Sequence, residues 1–355
     1  MILEKETETN TNTLKELIQS ELRPLVQSID IDNHYPEAFL RLLGEKGYFN
    51  SDVFSDREVL LREFHLVEEV SKTCMTTGFT LWCQLAAQTY LRQSENNYLK
   101  SNLLPDLENG TILGGTGLSN PMKFYGDMEK LHLQAERRED GYVISGHLPS
   151  VSNLGEGHWF GIVAGLNNNQ RIMAFIPCDL VGLSMKGKSD YLGINGSATY
   201  VCRFDHCFVP DHLIVSADAD AFVEKVRPTF LLYQIPLGLG VTDASIESIK
   251  RGRSKQRGSN HYLQVQPEEL EAIYQQQRES IYDYLETYED TLDWKEIVQM
   301  RLDIAHLTLR SVEANMLHSG GAGYLYKSHP ARKLREAYFL ANLTPTVKQL
   351  EKMLA

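Results

Sequence analysis

A chain of 355 residues, 42% hydrophobic and 23% charged, is long enough to bury a large core and to carry two or three domains. Its net charge of -12 argues against nucleic-acid binding, which calls for a basic face, and the short Lys250-Arg251-Gly252-Arg253 run reads as a solvated helix end. No run of about eighteen uninterrupted apolar residues exists, so no membrane span is expected.

The first residues, Met1-Ile-Leu-Glu-Lys-Glu-Thr-Glu, are acidic and polar instead of charged then apolar, so a cytoplasmic protein with a frayed lead of about ten residues is expected. Five cysteines, Cys74, Cys83, Cys178, Cys202 and Cys207, form no C-x-x-C pair. Free, mostly buried thiols and no metal site are expected.

From Thr13 the pattern is helical: Leu14, Leu17, Ile18, Leu22 and Leu25 recur at helix spacing, and Tyr35 to Lys46 gives a second segment ending at Gly47. A longer helix begins at Asp56. A break is expected at Thr76-Thr77-Gly78, after which the nearly all-apolar Phe79-Thr-Leu-Trp-Cys-Gln-Leu-Ala-Ala reads as a buried helix. A Pro-bearing turn at Leu103 to Gly110 closes the region with an Asn-Gly stop.

The period then changes. Leu131 to Glu136, Tyr142 to Gly146, Trp159 to Gly165, Arg171 to Ile176 and Thr199 to Phe204 are short β-rich runs between Gly, Asn and Pro clusters, with Asn167-Asn168-Asn169 as a turn. From Val226 helices return, through Ile246, Glu268 to Thr287, Ile297 to Ala322 and Arg332 to Ala355. The expected fold is multidomain α+β: an N-terminal all-α domain over 1–110, a middle antiparallel β-barrel or sandwich over 111–218, and a C-terminal four-helix bundle over 219–355.

The stretch from Thr111 to Asn153 is the most informative. An apolar run breaks into Gly114-Gly-Thr-Gly, a polar turn is expected at Ser119-Asn120-Pro121, and a segment hinged at Asp140-Gly141 leads to Ser150-Val151-Ser152-Asn153. Two such strand ends, about thirty residues apart, suit a cradle for a flat polar ligand, because small side chains let backbone N–H groups approach. On spacing alone they suit a surface hairpin with Ser-rich turns better.

The order Ser119-Asn-Pro, then Asp140-Gly-Tyr-x-x-x-Gly-x-x-x-x-Val-Ser-Asn153, resembles the middle domain of acyl-CoA dehydrogenase-type flavoproteins. Phe204 to Val209-Pro210 is similar to that family's Phe-x-x-x-x-Val-Pro exit, and Gly320-Gly321-Ala-Gly-Tyr324 with Arg335-Glu336-Ala337 to its Gly-Gly-x-Gly-Tyr and Arg-Asp-Ala landmarks. The similarity covers nearly the whole chain.

The resemblance implies FAD, in preference to FMN, between the β-domain and the bundle, with Leu118 and Ser119 at the flavin edge and Ser150, Val151 and Ser152 flanking the ring. It implies that Gly320 and Gly321 approach the flavin of a partner subunit, hence a homodimer or homotetramer. The chain departs from the pattern at Ser150, where the family carries an aromatic, at Leu317, where it carries Gln, and after Arg257, where its Arg-x-x-Phe-Gly loop is replaced.

The family's catalytic Glu falls at Thr344, and in members that carry the base on the first bundle helix, at Pro228; Glu224 stands near that second slot. A hydroxyl does not remove an α-proton at neutral pH. The expectation is an enzyme, a flavin-dependent oxidoreductase of acyl-CoA dehydrogenase type acting on an acyl thioester or similar small molecule. Two alternatives stand beside it. One is a flavin monooxygenase of the same fold, which needs no Glu base and for which His147 is a candidate hydrogen-bonding group. The other is a non-catalytic member that binds an acyl or carrier-protein partner.

Overall fold

The computed structural model describes residues 13–167, 169–253, 255–288 and 291–355; the N-terminal lead and Asn168 lie outside them. The helix Asp56–Thr73 starts on a reciprocal cap, in which the Ser55 side chain accepts from the Glu58 N–H and Glu58 accepts from the Ser55 N–H. It ends at Cys74, whose extended backbone separates it from the helix Met75–Gln93. The break therefore falls before Thr76-Thr77-Gly78, not on it. A Cβ at Gly78 would lie 2.0 Å from Ser71 Oγ, so the glycine permits close packing instead of ending a helix. Every residue from Met75 to Leu91 is buried, as an apolar surround demands.

Eight strands follow: β1 Gly114–Thr116, β2 Leu133–Arg138, β3 Gly141–Val151, β4 Trp159–Gly165, β5 Arg171–Pro177, β6 Leu183–Gly187, β7 Tyr200–Pro210 and β8 Ile214–Ser216. They form one sheet in the order β6-β7-β3-β2-β4-β5-β8, with β1 pairing β4. The β2–β3 hairpin turns at Glu139-Asp140, where an Asp-Gly hinge is expected. The sheet is mixed and not wholly antiparallel, since β1 and β2 each meet β4 in parallel. Its path ends at β6 and β8 and does not close. The expected turn at Ser119-Asn120-Pro121 is instead the first turn of a helix, Ser119–Tyr125, where proline is tolerated because that N–H has no intrahelical acceptor.

The C-terminal half comprises helices Ala219–Leu232, Ile235–Gly252, Pro267–Thr287, Trp294–Gly323, His329–Asn342 and Val347–Leu354. The break at Leu343 to Thr346 divides what the sequence offers as one segment. The helix Ile235–Gly252 packs on both Trp294–Gly323 and Asp56–Thr73, which joins the two helical blocks, and one hydrophobic core runs through helices and sheet. The basic run at 250–253 pairs with carboxylates, Lys250 with Glu271 and Arg253 with Glu268, as a solvated helix end does. All five cysteines are free and buried. Among the described residues, no helix is long and apolar enough to cross a membrane and no group of His, Cys, Asp or Glu could hold a metal ion.

Candidate active site

Strand β1 is anchored from behind by the buried helix Met75–Gln93. Gln84 donates to Leu107 O (2.9 Å) and accepts from the Gly114 N–H (2.5 Å). Asn153 donates to Gly114 O (2.8 Å) and is held by the Tyr35 hydroxyl (2.7 Å), so the end of β3 is tied to the start of β1. The result is an antiparallel bridge between Thr116 and Ser152. The two strand ends lie side by side, as their composition suggests. The glycine between them serves the protein first: a Cβ on Gly115 would sit 2.6 Å from Ser152 O and 2.7 Å from Leu154 Cδ2.

Hydroxyls line this edge. Tyr90 and Thr116 share a 2.7 Å hydrogen bond, and burial pushes the Tyr90 phenol above its ordinary range. Thr116 Oγ1 also accepts from the Leu118 N–H (3.3 Å). On the β3 side, Ser197, Thr199 and Ser152 stand in a row, linked at 2.8 Å and 2.7 Å. Three hydroxyl protons serve two links, so one donor remains. Ser197 is buried and Ser152 half-buried, so the end that can offer it outward is Ser152.

At the start of the Ser119–Tyr125 helix, Ser119 Oγ meets Thr344 Oγ1 at 3.1 Å. Behind it, Gln234 donates to Thr344 O (2.9 Å) and accepts from Arg301 Nε (3.2 Å), while Arg301 Nη2 donates to Leu340 O (2.7 Å). Arg301 is fully buried and, among the described residues, pairs with no carboxylate; burial pushes its pKa down to about 9.

Ser150 lies 3.2 Å from the Tyr191 hydroxyl and accepts from Lys188 Nζ at 3.2 Å, with the ammonium 5.2 Å from the centre of the Tyr191 ring. Val151 turns into the core at 1% exposure, and Leu118 is equally buried.

Other candidates are not brought here. His147 is exposed on β3 and stacks on His132, ring centres 5.4 Å apart. Glu224 is 74% exposed and faces Arg227 at 3.7 Å. Pro228 is inside the same helix. Neither His147 nor Glu224 shares a hydrogen bond with the hydroxyl cluster. Gly320 adopts φ +57 and ψ -146, a region open only to glycine, and kinks the Trp294–Gly323 helix. A Cβ on Gly321 would meet nothing within 4 Å, and Leu317 is exposed. The Arg257 side chain lies outside the described residues.

Sequence reasoning did not find Tyr90, Tyr191, Gln234 or Arg301. The only signal for Tyr191 was an aromatic in a polar connection, and Gln234 and Arg301 stand in helices that read as plain bundle.

No protein-family model matches the sequence. Benzylmalonyl-CoA dehydrogenase of Aromatoleum aromaticum is 23% identical over 268 residues, covering 72% of this chain and 71% of the relative. The mitochondrial short-chain specific acyl-CoA dehydrogenase of Sus scrofa is 25% identical over 259 residues, covering 66% of this chain and 59% of the relative. A glutaryl-coenzyme A dehydrogenase bound to glutaryl-CoA superposes with a TM-score of 0.89 at 17% identity, over 99% of this chain and 94% of that one. The chain shares the fold of acyl-CoA dehydrogenases and is similar to them in sequence. That shared fold accounts for the helix–sheet–helix order and for the meeting of β1, β3 and the last helical segments.

Proposed function

We propose that the protein is an FAD-linked oxidoreductase of acyl-CoA dehydrogenase type, acting on an acyl thioester or a similar small molecule. The observation that carries the reading is the meeting of Ser119 and Thr344 at the edge formed by the Thr116–Ser152 bridge. The residues fit a flavin. Ser119 and Ser152 offer half-buried hydroxyls, and the half-buried Tyr191 ring beside Ser150 supplies aromatic surface near the position where the family's aromatic is missing. Bound there, FAD would supply a two-electron acceptor for a hydride.

The chain's own part is to bind and orient. Ser119 and Ser152 would hydrogen-bond the cofactor edge, Tyr90 and Thr199 hold their partners in place, and Gln234 fixes the Thr344 carbonyl. Thr344 holds a proton at Oγ1 at neutral pH and removes none, so the α-proton of a saturated thioester finds no base there. The same observation supports the second reading, a flavin monooxygenase of this fold, for which no base is required.

Two measurements test the proposal. Titration with FAD and with FMN should quench flavin fluorescence, FAD at lower concentration; no binding of either at high micromolar concentration would leave the non-catalytic reading. Mixing flavin-loaded protein with saturated acyl-CoA without oxygen, and then measuring oxygen consumption, separates the two enzymes. A homodimer or homotetramer belongs to the same proposal. Leu317, Tyr324, Leu325 and Tyr326 form an exposed apolar end beside the Gly320 kink, and sedimentation at monomer mass alone would count against it.

A further inference from the structure

A cavity of about 630 Å³ lies between the N-terminal helical segment, the end of the Asp56–Thr73 helix, the last turns of Ile235–Gly252 and the start of His329–Asn342. It contains none of the hydroxyl-edge residues. In a chain of net charge -12 it is lined by six cations, Lys15, Arg23, Lys72, Arg251, Lys327 and Arg332, against three carboxylates. Three of the cations are paired, Lys72 with Asp243 and Glu247 (both 2.7 Å), Arg251 with Glu247 (3.9 Å) and Arg332 with Glu336 (3.2 Å), and Asp30 is engaged by Arg335 from outside the lining. Lys15, Arg23 and Lys327 have no ion pair among the described residues.

One group at the cavity records the imbalance. His329 Nδ1 is buried with no hydrogen-bond partner. Burial first, then the charges of Lys333, Arg332, Arg251 and Arg23, hold its pKa down to about 2, so the imidazole stays neutral among cations. Concave, positively charged walls of this kind focus potential on anions, and Arg and Lys make their strongest hydrogen bonds to phosphate oxygens. The volume lies within the range of small-molecule sites, and Ile18, Pro24 and Val26 add apolar wall.

We propose that this cavity binds a phosphate-bearing anion, either free pyrophosphate or the diphosphate group of an organic ligand of nucleotide size. Arg23 and Lys327, exposed and unpaired, take the phosphate oxygens at the mouth beside the exposed Arg251, and Arg332 lies deeper. The site is separate from the flavin edge.

Calorimetric titration in phosphate-free, low-salt buffer tests it with two probes, inorganic pyrophosphate and adenosine diphosphate. Each should bind saturably at about one per chain, and the Arg23→Glu, Lys327→Glu double variant should weaken both at least about tenfold, because two charge-assisted contacts become repulsive. Both side chains are free of partners, so the variant should keep its circular dichroism and its flavin affinity. Tighter binding of the nucleotide assigns the site to an organic diphosphate; equal binding assigns it to the free anion. No saturable binding of either probe at millimolar concentration, or binding unchanged in the double variant, overturns the proposal. So does displacement of flavin by pyrophosphate, which would put the anion at the flavin site.

Discussion

Ser119 Oγ and Thr344 Oγ1, 225 residues apart in sequence, lie 3.1 Å apart and share a hydrogen bond. One opens the helix after β1 and the other sits in the break before the last helix, so this contact closes the candidate site across two blocks of the chain. It also places a hydroxyl, and no carboxylate, beside the proposed cofactor edge.

The first prediction follows. Flavin-loaded protein mixed with saturated acyl-CoA in the absence of oxygen should bleach very slowly, and Thr344→Glu should raise the rate on the order of a hundredfold or more, because a positioned general base is worth roughly 10² to 10⁴. Stopped-flow absorbance at the flavin band measures it. Fast bleaching by the unmodified protein would mean that another carboxylate acts as base, and Glu224→Gln would then be the next variant to examine.

Much of this was legible in the sequence because it is local. The five β-rich runs, the Asp-Gly hinge and the pairing of the Thr116 and Ser152 ends rest on period-two pattern and turn chemistry within about forty residues. What stayed hidden is set by tertiary packing. Gly78 reads as a breaker until Ser71 is seen against it, Pro121 as a turn until it occupies a first helical turn, and Tyr191 as loop until it reaches Ser150. The Gln234–Arg301 pair joins two helices whose patterns report only their apolar faces.

Gln234 should matter more than its unremarkable position in sequence suggests. Gln234→Ala leaves the Thr344 carbonyl and Arg301 Nε without partners in a buried layer, which costs about 1–3 kcal/mol for each orphaned group. A loss of about 2–6 kcal/mol is expected in urea denaturation. Gln234→Glu keeps an acceptor for Arg301 and should lose less. Equal stability of Gln234→Ala and the parent would show that these bonds carry nothing.

The two glycine stretches should respond in opposite ways. Gly115→Ala forces a Cβ to within 2.6 Å of Ser152 O and 2.7 Å of Leu154, splaying the paired edges. Overpacking of this kind costs about 1–3 kcal/mol, and flavin affinity should fall with it. Gly321→Ala meets open space within the chain and should leave monomer stability within about 0.5 kcal/mol. If Gly321→Ala instead weakens self-association in sedimentation, the glycine serves a subunit contact; a Gly115→Ala protein of parent stability and parent flavin affinity would contradict the close-packed edge.

His329 gives a pH dependence whose sign is fixed by its surroundings. Lys333 and Arg332 face it from its own helix, Arg251 and Arg23 from two others, and burial adds to them, so its folded pKa is pushed down to about 2 from an ordinary 6.5. The folded state keeps the ring neutral while the unfolded chain takes up a proton below about 6.5, so the unfolded state binds more protons and stability falls as pH falls. From pH 8 to pH 6 this group alone should remove about 0.8 kcal/mol, the linkage value for a single site with that unfolded pKa. His329→Gln removes the titration, whatever it does to the baseline. Urea denaturation of both proteins at pH 8, 7 and 6, in phosphate-free buffer, should therefore give curves that converge or diverge by that amount, with the parent losing ground toward acid. Parallel dependence in parent and variant would show that His329 keeps an ordinary pKa in the fold, and that anions or solvent already compensate the cations around it.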